Sequence, residues 1–212
     1  MGKTVTVSNL KKTLHYLKRN GIRQAYYAMR ERIGTEAKES YTYEPVDACV
    51  LQTQIREAKS MDVKFSILVP ALDTKEEYLR AMIDSCLAQT YGNFELILAD
   101  ASKEDQVEKV VKTYKDPRIR YRRLKQNTGI SANTGQALMY ATGDYVGLLD
   151  HDDVLTPDAL FEMAACIEKY RKEQIQLQLL YSDEDKCDQH QQCYFEVNRK
   201  PDFNLDLILS NN

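Results

Sequence analysis

FSILVPALDTKEEYLRAMIDSCLAQTYGNFELILAD, residues 65–100, holds the pattern that decides the fold. It opens on a β-rich apolar run closed by Pro70, and it ends on a second such run, FELILAD at 94–100. Between them Leu79, Met82, Ile83, Cys86 and Leu87 recur at helical spacing, which predicts an amphipathic helix over 74–90. Thr74, followed three residues later by Glu77, is a candidate capping box for its start. Two apolar strands joined through a helix make a crossover unit. Crossovers of that length connect parallel neighbours, and such sheets are covered on both faces.

The alternation continues downstream. A helix is predicted near 103–113, followed by a more exposed strand RIRYRRL at 118–124. Ser131 is placed to cap a helix reaching Ala141, and DYVGLLD at 144–150 reads as the fourth strand. Thr156 and Pro157 signal a further helix whose apolar face carries Leu160, Met163, Ala164 and Ile167. QLQLLYSD at 176–183 is read as a fifth strand. Upstream, residues 8–33 have helical spacing in two pieces around Gly21, 35–45 read as a linker, and 46–60 as one more helix. The expected organisation is a helical extension and linker over 1–60, followed by an open α/β domain over 61–212.

Composition narrows the function. The chain has 212 residues, 43% of them hydrophobic, and a formal charge of −3, which gives no global argument for nucleic acid. The charge is unevenly spread, since residues 1–40 carry nine Lys or Arg against three Glu, a local +6 that leaves −9 for the rest. That basic amphipathic start suits either an anionic membrane surface or packing against protein. No run approaches the roughly 20 apolar residues of a membrane span, and no signal peptide is apparent. Five cysteines without a CxxC pair read as reduced thiols, with Cys86 and Cys166 as core filling. In CDQHQQC, Cys187, His190 and Cys193 have spacing that suits zinc, but a fourth ligand is missing nearby, and a polar hairpin explains the same residues.

Open parallel sheets bind ligands beyond the carboxyl ends of their strands. This rule brings Pro70 to Asp73, Asp100 to Ser102 and Asp150 to Asp153 to one edge. LLDHDD (148–153) runs an apolar strand straight into three carboxylates, Asp150, Asp152 and Asp153. Such a cluster is relieved by protonation, a basic partner or a bound cation, and hard oxygen ligands suit Mg²⁺ or Mn²⁺ shared with substrate phosphates. The competing explanation is that these residues cap the helix near Thr156, although one residue suffices for a cap. Asp100 is placed either to accept from a base or ribose or to form a turn with Ser102. In NTGISANTG (127–135), Asn127, Gly129 and Ser131 are candidates for phosphate approach at a helix start, and a plain loop with a cap explains them equally well. Neither GxGxxG nor GxxxxGK[ST] occurs, which removes the main support for dehydrogenase and P-loop functions.

Four ordered blocks, FSILVPALDT, LAQTYGNFELILAD, NTGISANTGQAL and ATGDYVGLLDHDD, together resemble the family 2 glycosyltransferases over roughly residues 64–185. The helical start and KPDFNLDLILS (200–210) are similar to the bacterial subgroup that builds cell-surface polysaccharide, often as rhamnosyl or related transferases. The resemblance implies a GT-A fold, a Rossmann-like, mostly parallel sheet with helices on both faces and N-terminal helices before it. It implies inverting transfer from a nucleoside diphosphate sugar, UDP- or dTDP-linked, to a glycan or lipid-linked glycan, at the inner face of the cell membrane in the cytoplasm.

Carried onto this chain, the resemblance makes Asp150, Asp152 and Asp153 the metal-holding region, with His151 beside the nucleotide. Pro70, Ala71, Asp73 and Asp100 fall on the nucleotide side. Ala101 stands where the family commonly has a second Asp, and Leu72 where it has an aromatic residue, so the base is left open. The proton-accepting carboxylate is expected beyond Asn212, with Asp183, Glu184 and Asp185 as the nearby candidates and pairing with Lys186 as their structural alternative. Binding of nucleotide with little transfer is therefore the expectation for these 212 residues. A nucleotidyltransferase or a binding-only module is the rival; the first would need a glycine-rich basic loop where ALDTKEE stands, and the second would tolerate loss of the metal carboxylates.

Overall fold

The computed structural model describes residues 41–200. The helices expected over 8–33 and the segment after Lys200 lie outside the described residues. The chain divides into two compact units, Glu44–Asp183 and a second that joins Met1–Tyr43 to Glu184–Asn212. The helix expected at 46–60 is α1 (Ala48–Glu57), followed by a 3₁₀ turn at Ala58–Ser60. It belongs to the first unit, where its buried Gln54 donates to Glu162 and accepts from Thr90 Oγ1, both at 3.0 Å.

The first unit is built on β1 (Phe65–Ala71), α2 (Glu76–Leu87), β2 (Phe94–Asp100), α3 (Gln106–Val111), β3 (Ile119–Arg123), α4 (Ile130–Leu138), β4 (Tyr145–Leu148) and α5 (Ala159–Lys172). All four strands are parallel, in the order β3-β2-β1-β4. β1 and β2 are buried along their whole length, as central strands covered on both faces must be. Alternate residues then serve two cores. Phe65, Ile67, Val69, Leu96 and Leu98 pack with the apolar faces of α2, α3 and α5, including Leu79, Met82, Ile83, Cys86, Leu160, Ala164 and Ile167. On the opposite face Leu68, Ile97 and Ala99 pack with Ala137 of α4.

Two local features lock this arrangement. A Cβ at Gly143 would meet Lys64 O and Ser66 N at 2.7 Å, so only glycine lets the turn before β4 lie against β1. Beside it, the buried Glu95 accepts hydrogen bonds from Ser66 Oγ and from both the amide and hydroxyl of Thr142, and pairs with Arg120.

The helix starts differ from expectation. Thr74 makes no capping box: α2 begins at Glu76 after Lys75, without a side-chain cap, and the buried Thr74 hydroxyl has no hydrogen-bond partner among the described residues. Ser131 is not a cap, since α4 starts one residue earlier behind Gly129, whose φ of 92° only glycine adopts easily. Thr156 does not cap α5 either. That helix starts at Ala159, and its Leu160 amide is satisfied from another element, by Gln89 Oε1 at 2.9 Å.

The fifth strand expected at 176–183 does not form. Leu177 and Leu180 pack against the core without a ladder partner among the described residues, and Tyr145 Oη donates to Leu177 O at 2.8 Å. The second unit instead contains β5 (Glu184–Cys187) and β6 (Tyr194–Asn198), an antiparallel hairpin. The CDQHQQC segment is its turn, where Asp188 accepts from the amides of Gln192 and Cys193. Among the described residues, those of the acidic turn at 150–153 included, no three His, Cys, Asp or Glu side chains are gathered into a preformed metal cage.

Candidate functional site at the carboxyl edge of the sheet

Because the strands are parallel, β1, β2, β3 and β4 all end on one edge. Register puts Ala71, Asp100 and Arg123 side by side there. β1 is joined to β2 on one side and β4 on the other, so chain order reverses between β1 and β4, and a crevice opens where the loops diverge.

On the β4 side the acidic turn leaves the sheet directly. Leu149 is buried and its amide donates to Leu68 O at 3.2 Å, after which Asp153 N closes a turn onto Asp150 O at 3.3 Å. The Asp150, Asp152 and Asp153 residues are all exposed. Downstream the chain is tied back onto α2, with Leu155 N donating to Ser85 Oγ and Gln89 Nε2 to Thr156 O. The carboxylates are thus presented on a short turn anchored at both ends. They do not cap α5, which begins well after the turn. His151 is half-buried, with Nδ1 shielded, lacking a hydrogen-bond partner among the described residues and 3.7 Å from Asp152 Oδ1.

On the β2 side the loops after β1 and β2 are laced together. Ala101 N donates to Ala71 O at 2.9 Å, Asp73 N to Ser102 Oγ at 2.8 Å, and Lys103 N to Asp73 Oδ1 at 3.3 Å. Asp73 adopts a φ of 47°, a left-handed conformation that Asp tolerates better than most residues. Pro70 and Ala71 are buried, while Leu72 and Asp73 are exposed.

Asp100 has 0% exposure. Its Oδ1 accepts from Ser102 N at 2.9 Å, and its Oδ2 from Tyr121 Oη at 2.6 Å and Arg123 Nη1 at 3.0 Å. Of the two alternatives for Asp100, the turn with Ser102 forms, and the carboxylate takes its other hydrogen bonds from protein donors. Burial, with help from the Asp100 carboxylate, pushes the Tyr121 phenol up to about 12. Tyr121 and Arg123 were not anticipated as site residues.

The third loop is organised by Asn133, another residue not singled out in advance. It is buried, accepts from the amide and hydroxyl of Thr128, and donates to Asn127 Oδ1, which also accepts from Gly129 N. Asn127, Gly129 and Ser131 are exposed at the start of α4.

Two of the candidate bases already have partners. Glu184 accepts from Asn198 and Lys200, and Asp185 from Tyr41 Oη, so both are committed within the second unit. Lys186 pairs with Glu196 rather than with any of these acids. Asp183 is exposed at the end of the first unit.

A doubly wound α/β sheet carrying an acidic turn at its switch point defines a class of ligand-binding domains. The chain belongs to glycosyl transferase family 2, whose model matches residues 66–209. It is 37% identical to protein y4gI of Sinorhizobium fredii over 153 residues, 68% of this chain and 16% of that protein. It is 31% identical to O-antigen biosynthesis protein RfbC of Myxococcus xanthus, over 68% of this chain and 11% of that protein. A crystal structure of S. aureus TarS in complex with UDP is similar at 27% identity and a TM-score of 0.47, covering 51% of this chain and 33% of that one. The chain therefore spans a small part of the relatives it matches. The observed sheet, with helices on both faces, agrees with the GT-A architecture expected of the family. No helix among the described residues is long and apolar enough to cross a membrane.

Proposed function

We propose that the edge formed by the loops after β1, β2 and β4 binds the nucleoside diphosphate of an activated sugar, and that the sugar is transferred with inversion to a growing cell-surface glycan or its lipid-linked precursor. The single observation that carries the reading is the anchored turn that exposes Asp150, Asp152 and Asp153 at the end of β4. Family membership supports glycosyl transfer as the chemistry.

The donor set fits a hard divalent cation, since all three side chains are carboxylates within four residues. Asp150, Asp152 and Asp153 would hold Mg²⁺ or Mn²⁺. A cation of this kind takes one or two protein carboxylates and completes its shell with water and phosphate oxygens, so a preformed cage of three ligands is not required. When bound, it supplies positive charge against the diphosphate as the glycosidic bond to it breaks. His151, on the same turn, would flank the diphosphate. Leu72 and Asp73 would face the base and ribose from the β1 loop, with Pro70 and Ala71 setting that loop's height from inside the sheet. Asn127, Gly129 and Ser131 would border the donor from the α4 side.

Glu184 and Asp185 are not assigned the role of base in this scheme, because Glu184 already accepts from Asn198 and Lys200 and Asp185 from Tyr41. A uridine or thymidine donor is favoured, and a cytoplasmic location at the membrane's inner face follows from the expected acceptor. Calorimetric titration of UDP, dTDP and GDP, each with Mn²⁺ and with EDTA, tests the reading. Metal-dependent binding of one of them is the expected result; no binding of any would overturn it.

A further inference from the structure

The family resemblance puts Asp100 against the nucleotide, but its carboxylate is sealed inside the protein and takes three protein donors. A base imide would have to displace one of them. What Asp100 does instead is anchor Arg123. That guanidinium also donates to Glu104 O at 2.9 Å through Nη1 and to Lys103 O at 3.0 Å through Nη2. One side chain thus ties the end of β3 to the end of β2 and to the loop that follows. This second loop in turn holds the first, through Ala101 N on Ala71 O, Asp73 N on Ser102 Oγ and Lys103 N on Asp73 Oδ1. Leu72, 41% exposed, stands at the tip of the structure so fixed.

We infer that Arg123 is a positioning residue for the nucleoside end of the donor, acting through Asp100 and the 101–104 loop to fix the rim that carries Leu72 and Asp73. The inference rests on the donor-site reading above. The planar fork of arginine is what allows a carboxylate and two carbonyls to be spanned at once; a lysine ammonium at the same place reaches the carboxylate but not all three. The acidic turn after β4 is anchored by separate contacts, to Leu68, Ser85 and Gln89. Loss of Arg123 should therefore affect base and ribose recognition and spare the diphosphate–metal end.

The test compares two ligands on the full chain in Mn²⁺: inorganic pyrophosphate, and whichever of UDP, dTDP and GDP binds the wild type most tightly. Arg123→Ala should weaken the nucleotide by about tenfold or more, a loss of about 1.4 kcal/mol, and leave pyrophosphate within about twofold. Arg123→Lys should fall between. Hydrogen exchange at the Asp73, Ala101 and Lys103 amides should accelerate in Arg123→Ala, while the Leu155 amide stays protected. Equal weakening of both ligands, or undiminished nucleotide affinity, would overturn the inference. If the wild type binds neither ligand, the donor-site reading fails and the ligand half of the inference with it; the exchange data still decide whether Arg123 holds the two loops, and unchanged exchange would overturn that half independently.

Discussion

Replacing Glu95 with glutamine should remove most of the acid-sensitive stability that this one side chain confers. The Glu95 side chain is 6% exposed. Burial alone would raise its carboxyl, but the hydrogen bonds from Ser66, Arg120 and Thr142 outweigh that effect and bring it from 4.5 down to about 2. A carboxyl lowered on folding contributes stability that is fully present above its unfolded value near 4.5 and is lost as pH falls toward 2. Two and a half pH units correspond to about 3 kcal/mol at ~1.36 kcal/mol per unit. Glutamine keeps the shape but loses the charge opposite Arg120, and turns an N–H₂ toward groups that already donate. Urea unfolding of wild type and Glu95→Gln between pH 6 and pH 2.5 provides the assay. The variant should be less stable at pH 6 by about 3 kcal/mol, with the gap closing as pH approaches 2.5. Parallel stability curves across that range would refute the argument, because they would mean that Glu95 protonates alike in both states.

Gly143→Ala should destabilise by about 1–3 kcal/mol, since its methyl would collide with the Lys64 and Ser66 backbone and nothing flexible is there to yield; thermal unfolding measures it, and an unchanged midpoint would contradict the close approach. Cys86 should resist iodoacetamide at pH 8 in the native chain, because burial pushes its thiol up to about 12, whereas the exposed Cys49 and Cys193 should label readily. Peptide mapping after a timed pulse reads this directly, and early modification of Cys86 would show that its site opens.

The parallel sheet was legible because β1 and β2 are unbroken apolar runs and α2 repeats its apolar residues on one face. Those signals are local. The helix starts are not legible for the opposite reason, since Leu160 takes its capping acceptor from Gln89, seventy-one residues away in sequence, while Thr156 sits idle as a cap. The segment at 176–183 has a strand's composition, but an apolar run can meet the core through Leu177 and Leu180 without any ladder partner, and composition cannot distinguish the two. In the candidate site, the carboxylates after β4 announce themselves by crowding. The Asp100 and Arg123 pairing does not, because it depends on the β2–β3 register, which sets these residues opposite each other. The alternation in RIRYRR was the available clue: Tyr121 and Arg123 share one face of β3, and that face leads to Asp100.

Titrating Mn²⁺ into Asp152→Ala in the presence of the preferred nucleoside diphosphate is the most direct trial of the cation-bridged donor site. A folded protein with an unchanged melting midpoint and nucleotide affinity reduced to its metal-free level is the predicted result. Retention of metal-dependent binding by that variant would contradict the role given to the turn after β4.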